Sequence, residues 1–215
     1  MLKIEGLKIW GYRESPNVQK VLWCCQELDR AYQRIDWGGA FGGTNDPDFL
    51  ARNPNGRVPT IDDDGFVLWE SHSILRYLAA SDPARRLLPD SVRARAIVDQ
   101  WIDWQSAHLS HAVRELVLLL VRPRPTKPTP EEVASAQGLA ESLFRILESQ
   151  LTRRPYIAGE TFTLADIPIG VATVRWRSIP MDHPKLPALD EWHARLRERA
   201  AFQRLYNPRP APKAQ

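Results

Sequence analysis

The chain has 215 residues, enough for one large or two modest domains, with 43% hydrophobic residues to build a core and 26% charged ones to keep it in water. Its net charge of +3 is too mild to indicate a nucleic-acid partner, and no apolar run approaches the ~20 residues of a membrane span. Lys3, Glu5 and Lys8 break up the opening where a signal peptide needs an unbroken apolar stretch, so the expected location is the cytoplasm, with no membrane partner.

Leu7 to Tyr12 reads as a short strand. The Arg13-Glu-Ser-Pro-Asn17 loop follows, and apolar residues at 18, 21, 22, 25 and 28 then make a helical stripe. Ser15 is therefore expected in a strand-to-helix loop, facing the positive end of a helix, a position that favours a bound anion. Its hydroxyl can donate to such an anion, or it can simply cap the helix, with Asn17 forming an Asx turn. Cys24 and Cys25 are neighbours within the predicted helix, about 100° apart, which strains any mutual disulfide. No Cys-x-x-Cys or zinc spacing accompanies them, so buried free thiols are expected. Trp37-Gly-Gly-Ala-Phe-Gly-Gly43 reads as a mobile loop, with Phe41 as its one large apolar side chain beyond Trp37.

Residues 53 to 80 are the richest stretch. Val58 to Ile61 is a β-rich run interrupted by Pro59, Asp64-Gly65 is a hairpin turn, and Phe66 to Trp69 is the returning strand. A proline inside a strand belongs at an edge or beside a cis bond, which leaves the Val58 N–H and C=O free to pair with an extended peptide. Ser71 opens a helix carrying Ile74, Leu75 and Leu78 at helical spacing. Glu70 and Ser71 at that helix start suit a ligand bearing both an ammonium and a carboxylate.

From Ala79 to Pro89 the chain reads as a linker, and beyond Ser91 only helical periodicity is found. A helix is expected over 92 to 120, a proline-rich connector follows through Pro130, and a second helix runs over 131 to 151 with Leu139, Leu143, Ile146 and Leu147 on its apolar face. Thr163 and Asp166 form an N-capping box ahead of Ile167, Ile169, Val171 and Val174. Trp101, the adjacent pair Trp104 and Gln105, His108 and His111 recur at intervals of three or four residues on the first long helix. His108 and His111 lack the acidic or thiolate partners that would complete a metal site, so no metal is expected.

Val58-Pro59 followed by Glu70-Ser71 at a helix start resembles the glutathione-binding segment of glutathione transferases. Ser15-Pro-Asn17-Val-Gln-Lys likewise resembles the first-helix start of serine-type classes, near theta, delta and the disulfide-reducing nu class. The resemblance implies an N-terminal thioredoxin-like βαβαββα domain over 1–81 and an all-helical bundle over 90–206; the tail over 207–215, rich in proline and basic residues, lies outside it and reads as loose. It implies Ser15 as the donor to the glutathione thiolate, with Asn17 a second polar contact and Tyr12 a competing candidate. Val58, beside Pro59, would pair with the cysteinyl backbone, Glu70 and Ser71 would hold the γ-glutamyl end, and Arg57 would reach the glycyl carboxylate. Tyr12, Phe41, Trp104, His108 and His111 would line a second-substrate pocket, and Arg114 could meet a further anionic group. The implied activity is attack of the thiolate on a small electrophile by a homodimer, with glutathione as co-substrate and no other cofactor. The alternatives are glutathione-dependent disulfide or peroxide reduction and, further off, a non-enzymatic interaction module.

Overall fold

A computed structural model of the chain describes residues 6–207. In chain order the elements are β1 (Leu7–Trp10), α1 (Pro16–Glu27), β2 (Tyr32–Ile35), α2 (Pro47–Arg52), β3 (Thr60–Asp63), β4 (Phe66–Trp69), α3 (Ser71–Ala80), α4 (Val92–Trp104), α5 (Ser110–Leu120), α6 (Pro130–Leu151), α7 (Asp166–Arg177), α8 (Pro187–Glu198) and α9 (Ala200–Tyr206). They fall into two compact units. One holds the described residues through Arg86 together with those from Arg199, and the other is Leu87–Glu198.

The first unit is built on a four-stranded sheet in the order β2-β1-β3-β4, with β1 parallel to β2 and the other two pairs antiparallel. This is the expected thioredoxin-like βαβαββα order. Asp64 and Gly65 both take positive φ, 52° and 96°, as a two-residue hairpin turn between β3 and β4 requires. The strand expected at Val58–Ile61 begins instead at Thr60, because Pro59 has no N–H to give to a ladder; the Val58–Pro59 bond is cis. β1 likewise stops at Trp10, two residues short of Tyr12. Leu7, Ile9 and Ile61 from the sheet are buried together with Val18, Val21 and Leu22 of α1 and Ile74, Leu75 and Leu78 of α3. Cys24 and Cys25 are buried free thiols, and burial pushes the Cys25 thiol up to about 12, so neither is a nucleophile at neutral pH.

The expected helical domain over 90–206 differs from this division at its end, since α9 belongs to the first unit. Phe202 meets the Trp23 indole edge-on at 5.2 Å, and Arg199 pairs with Glu27 through contacts of 2.8 and 2.6 Å. Arg13 donates to the carbonyls of Arg204 and Leu205 at the end of α9, at 3.0 and 2.5 Å, where a helix dipole favours a cation. Of the tail expected over 207–215, residues 208–215 lie outside the described range.

In the second unit α4 and α5 are joined by a π-helical turn, Gln105–Leu109, inside the expected 92–120 segment. α6 opens with a full capping box between Thr129 and Glu132. Its buried side is Ala136, Ala140, Phe144, Leu147 and Leu151, whereas Leu139 and Ile146, expected inside, are 55% and 46% exposed. Alanines let α6 approach its neighbours closely, and Phe144 stacks on Trp176 at 3.8 Å, so the face chosen is set by fit and not by side-chain hydrophobicity. Among the described residues no helix is long and apolar enough to cross a membrane.

Asp166 is the polar centre of this unit. Its fully buried carboxylate accepts from the backbone N–H of Ile157 (3.0 Å) and of Thr163 (2.8 Å), the Thr163 hydroxyl (3.2 Å) and the Trp192 indole (2.9 Å). The expected box is therefore only half formed: the acid takes the Thr163 N–H, but the Thr163 hydroxyl donates to the carboxylate and does not cap α7. Burial raises the Asp166 carboxyl to about 6, and the four donors pull against that rise. Asp166→Ala strands buried donors on Ile157, Thr163 and Trp192, and chemical denaturation should read a loss of about 3–5 kcal/mol.

Candidate active site

Backbone register brings the predicted site residues to one end of the sheet. Trp10 lies opposite Thr60, Thr60 opposite Trp69, and Trp10 also opposite Ile35. The loop to Ser15 leaves after Trp10, Arg57-Val58-Pro59 enters at Thr60, Glu70 follows Trp69, and the Trp37–Gly43 loop follows Ile35. Four chain segments thus converge where α1 and α3 begin.

Ser15 is the N-cap residue of α1, yet its side chain makes no capping hydrogen bond, and Pro16 removes one of the N–H groups that a cap would satisfy. The hydroxyl is buried at 6% exposure with no partner among the described residues. Asn17 accepts at Oδ1 from the Lys20 ammonium at 3.1 Å, and so its amide is held by an ion instead of by an Asx turn. Lys20 was not anticipated as part of the site. It is 2% exposed, lies 3.1 Å from Nε2 of His72, and is lowered by burial from 10.5 to about 7, with Glu70 opposing that shift.

The Val58–Pro59 peptide bond is cis, and the Val58 N–H and C=O make no hydrogen bond among the described residues. The approach to it is fixed by Asn53, a buried amide whose Nδ2 donates to the Arg57 carbonyl at 2.8 Å and to Thr60 Oγ1 at 3.0 Å, while its Oδ1 accepts from Asn55 N at 3.0 Å. Gly56 completes this turn at φ 57°, where a Cβ would stand 2.8 Å from the Thr44 carbonyl. The Arg57 side chain is exposed and forms no ion pair among the described residues.

Glu70 takes φ 70° and ψ 112°, a backbone conformation that non-glycine residues rarely adopt and one that concentrates at functional sites. Its exposed carboxylate acts electrostatically on the buried Lys20 and does not cap α3. Ser71, the first residue of α3, is buried at 5% exposure, and its hydroxyl is likewise unbonded. Beside one another stand a carboxylate, a hydroxyl and the free N–H groups of a helix start, the complement of an ammonium next to a carboxylate.

The glycine loop is closed on itself by Gly38 N–H to the Gly42 carbonyl at 2.7 Å. The Tyr12 ring lies against Gly39, and the Trp37 ring against Gly43, closer than any Cβ would allow. Phe41 stands out from this turn at 58% exposure. Trp104, His108 and His111 belong to the second unit. Trp104 is half-buried, its ring centroid 5.3 Å from that of Trp101 and 6.4 Å from that of His108, while His108 and His111 are exposed. His108 falls within the π-helical turn, which the three-to-four spacing did not foretell. Among the described residues no group of three or more His, Cys, Asp or Glu side chains converges to hold a metal. A 630 Å³ open cavity in the first unit, lined by Leu7, Leu28, Asp63 and Ser81, sits at the opposite end of the sheet from Ser15.

Known proteins share this two-part fold. The N-terminal domain family of glutathione S-transferase matches residues 5–80, and the C-terminal domain family matches residues 130–195. The chain is 35% identical over 201 residues to glutathione S-transferase GstB of Escherichia coli K12, covering 93% of this chain and 97% of that protein. It is 41% identical, with a TM-score of 0.88, to the theta class glutathione S-transferase of Xanthomonas axonopodis pv. citri solved with glutathione bound, covering 94% and 97% of the two chains. The disulfide-bond oxidoreductase YfcG of Escherichia coli K12 is 28% identical over 88% of this chain and 90% of its own. With both domains matched and identity sustained across nearly the whole length, the chain belongs to the glutathione S-transferase family.

Proposed function

We propose that the protein is a glutathione transferase that binds reduced glutathione in extended form along the end of its sheet and activates the thiol beside Ser15. The observation that carries this reading is a set of unspent groups in one place: the Ser15 and Ser71 hydroxyls, the Val58 backbone pair, the Glu70 carboxylate and the Arg57 guanidinium. In it the γ-glutamyl ammonium meets Glu70, its carboxylate meets Ser71 and the start of α3, the cysteinyl backbone pairs with Val58 next to cis-Pro59, and the glycyl carboxylate meets Arg57. The Ser15 hydroxyl donates to the sulfur at the positive end of α1, which favours thiolate over thiol. The thiol proton leaves to solvent, the sulfur forms a bond to an electrophilic carbon, and the leaving group departs with its electron pair. Holding both reactants in one site supplies part of the acceleration.

No cofactor other than glutathione as co-substrate enters this reading. Tyr12, Phe41, Trp104, His108 and His111 are its candidates for contact with a flat, moderately polar second substrate. A homodimer is part of it, as is a cytoplasmic location, where the reduced state of glutathione and of Cys24 and Cys25 is maintained. The second reading, glutathione-dependent disulfide reduction, is favoured by Asn17 and by the likeness to YfcG. Turnover of a dihalonitrobenzene against that of a mixed disulfide separates the two.

Ser15→Ala should raise the pKa of the bound thiol and lower kcat/KM near pH 7 by about 10–100-fold, with glutathione affinity little changed. An unaltered thiol titration would remove Ser15 from the mechanism. Glu70→Gln should weaken glutathione about tenfold in calorimetry, where Ser15→Ala leaves the affinity little changed. Sedimentation equilibrium should give twice the chain mass of 24.6 kDa, and a monomer would remove the dimer from the reading.

A further inference from the structure

Lys20 is the one buried basic residue among the described residues, and an apolar side chain in its place would avoid the desolvation of an ammonium. Its surroundings are polar and specific. On α1 it meets Asn17 Oδ1 at 3.1 Å, on α3 it meets His72 Nε2 at 3.1 Å, and Glu70 at the turn into α3 acts on it electrostatically. An ammonium only donates, so the end of the Asn17 amide turned toward it must be the oxygen, and the His72 nitrogen facing it must accept. The Asn17 NH2 is thereby turned outward on an exposed residue, with no partner among the described residues, two positions after Ser15.

We propose that Lys20 is a positioning residue for the thiolate: by holding Asn17 through Oδ1, it presents the Asn17 NH2 as a second donor to the glutathione sulfur, beside the Ser15 hydroxyl. An asparagine free to rotate offers a sulfur anion its carbonyl as readily as its NH2, and the carbonyl repels it. A fixed amide removes that half of the states before the ligand arrives. Burial lowers the proton affinity of Lys20 and Glu70 raises it, so the γ-glutamyl site and the sulfur site share one cation beneath them. The proposal rests on the reading that the sulfur lies at the Ser15–Asn17 turn.

The test is a double-mutant cycle between Lys20 and Asn17, read as the pKa of glutathione's thiol when bound to the full-length protein, from thiolate absorbance across a pH series. Calorimetric glutathione affinity and a thermal melt accompany each variant. Lys20→Met should raise the bound thiol pKa by about one pH unit, as Asn17→Ala should, and should add nothing in the Asn17→Ala background. Lys20→Gln, which keeps a donor toward Oδ1, should recover at least about half of that shift. Asn17→Asp keeps an oxygen toward Lys20 and should raise the pKa more than Asn17→Ala, because it sets a carboxylate oxygen where the NH2 stood. An equal Lys20→Met effect in both backgrounds would overturn the proposal, as would a loss of glutathione affinity with the thiol pKa unmoved. Ser15→Ala separates the two levels. If it too leaves the bound thiol pKa alone, the sulfur is elsewhere and the site reading fails; if only the Lys20 variants are silent, the positioning role alone fails.

Discussion

Three strands of the first unit keep one register, with Trp10, Thr60 and Trp69 side by side, and the rest of the site hangs on it. A one-residue slip of β3 would turn Ile61 from the core to the opposite face, so hydrophobic burial holds the register far more firmly than any group at the sheet's end could. Everything chemical leaves from the ends of those strands: the loop to Ser15, the Val58–Pro59 turn, and the Glu70–Ser71 helix start. The site is therefore positioned by the core, while its own polar groups are spared from structural duty.

That sparing is visible at both helix starts. Ser15 and Glu70 occupy cap positions and provide no cap, whereas Ser91, Asp46 and Thr129 at other helix starts all do. An absent cap forgoes about 1 kcal/mol, and the left-handed backbone at Glu70 adds a cost of similar size. Stability is recovered elsewhere, in the Asn53 network that fixes the turn before Val58 and in the α1–α3 core. Lys20 fits the same pattern, since it is a buried cation whose position is explained by what it touches and not by what it stabilises.

Much of this was legible in the sequence because the signals are local. Asp64-Gly65 encodes its turn through backbone conformation, Val58-Pro59 encodes an interruption of the ladder, and Ser71 ahead of Ile74, Leu75 and Leu78 encodes a helix start. Lys20 was hidden, because a lysine in a helix is ordinarily solvated and nothing local says that α3 closes over it. Asn53 was hidden for a like reason, its role depending on a partner at Thr60. On α6, Leu139 and Ile146 imitate an apolar face, but the stripe buried is the one through Ala136, Ala140 and Phe144, whose shape suits a close neighbour. The π-helical turn at Gln105–Leu109 leaves no signature in hydrophobic spacing.

The return of α9 to the first unit bears on how this chain comes into being. Arg199 pairs with Glu27 across 172 residues of sequence, and the Trp23 ring packs edge-on against Phe202 and Tyr206. During synthesis the sheet, α1 and α3 emerge first, but the outer side of α1 stays bare until the final helix has left the ribosome. The half of the protein that is made earliest is thus completed last. Until α9 is made, the sheet domain lacks the Phe202 and Tyr206 rings that pack on Trp23 and the Arg199 that pairs with Glu27.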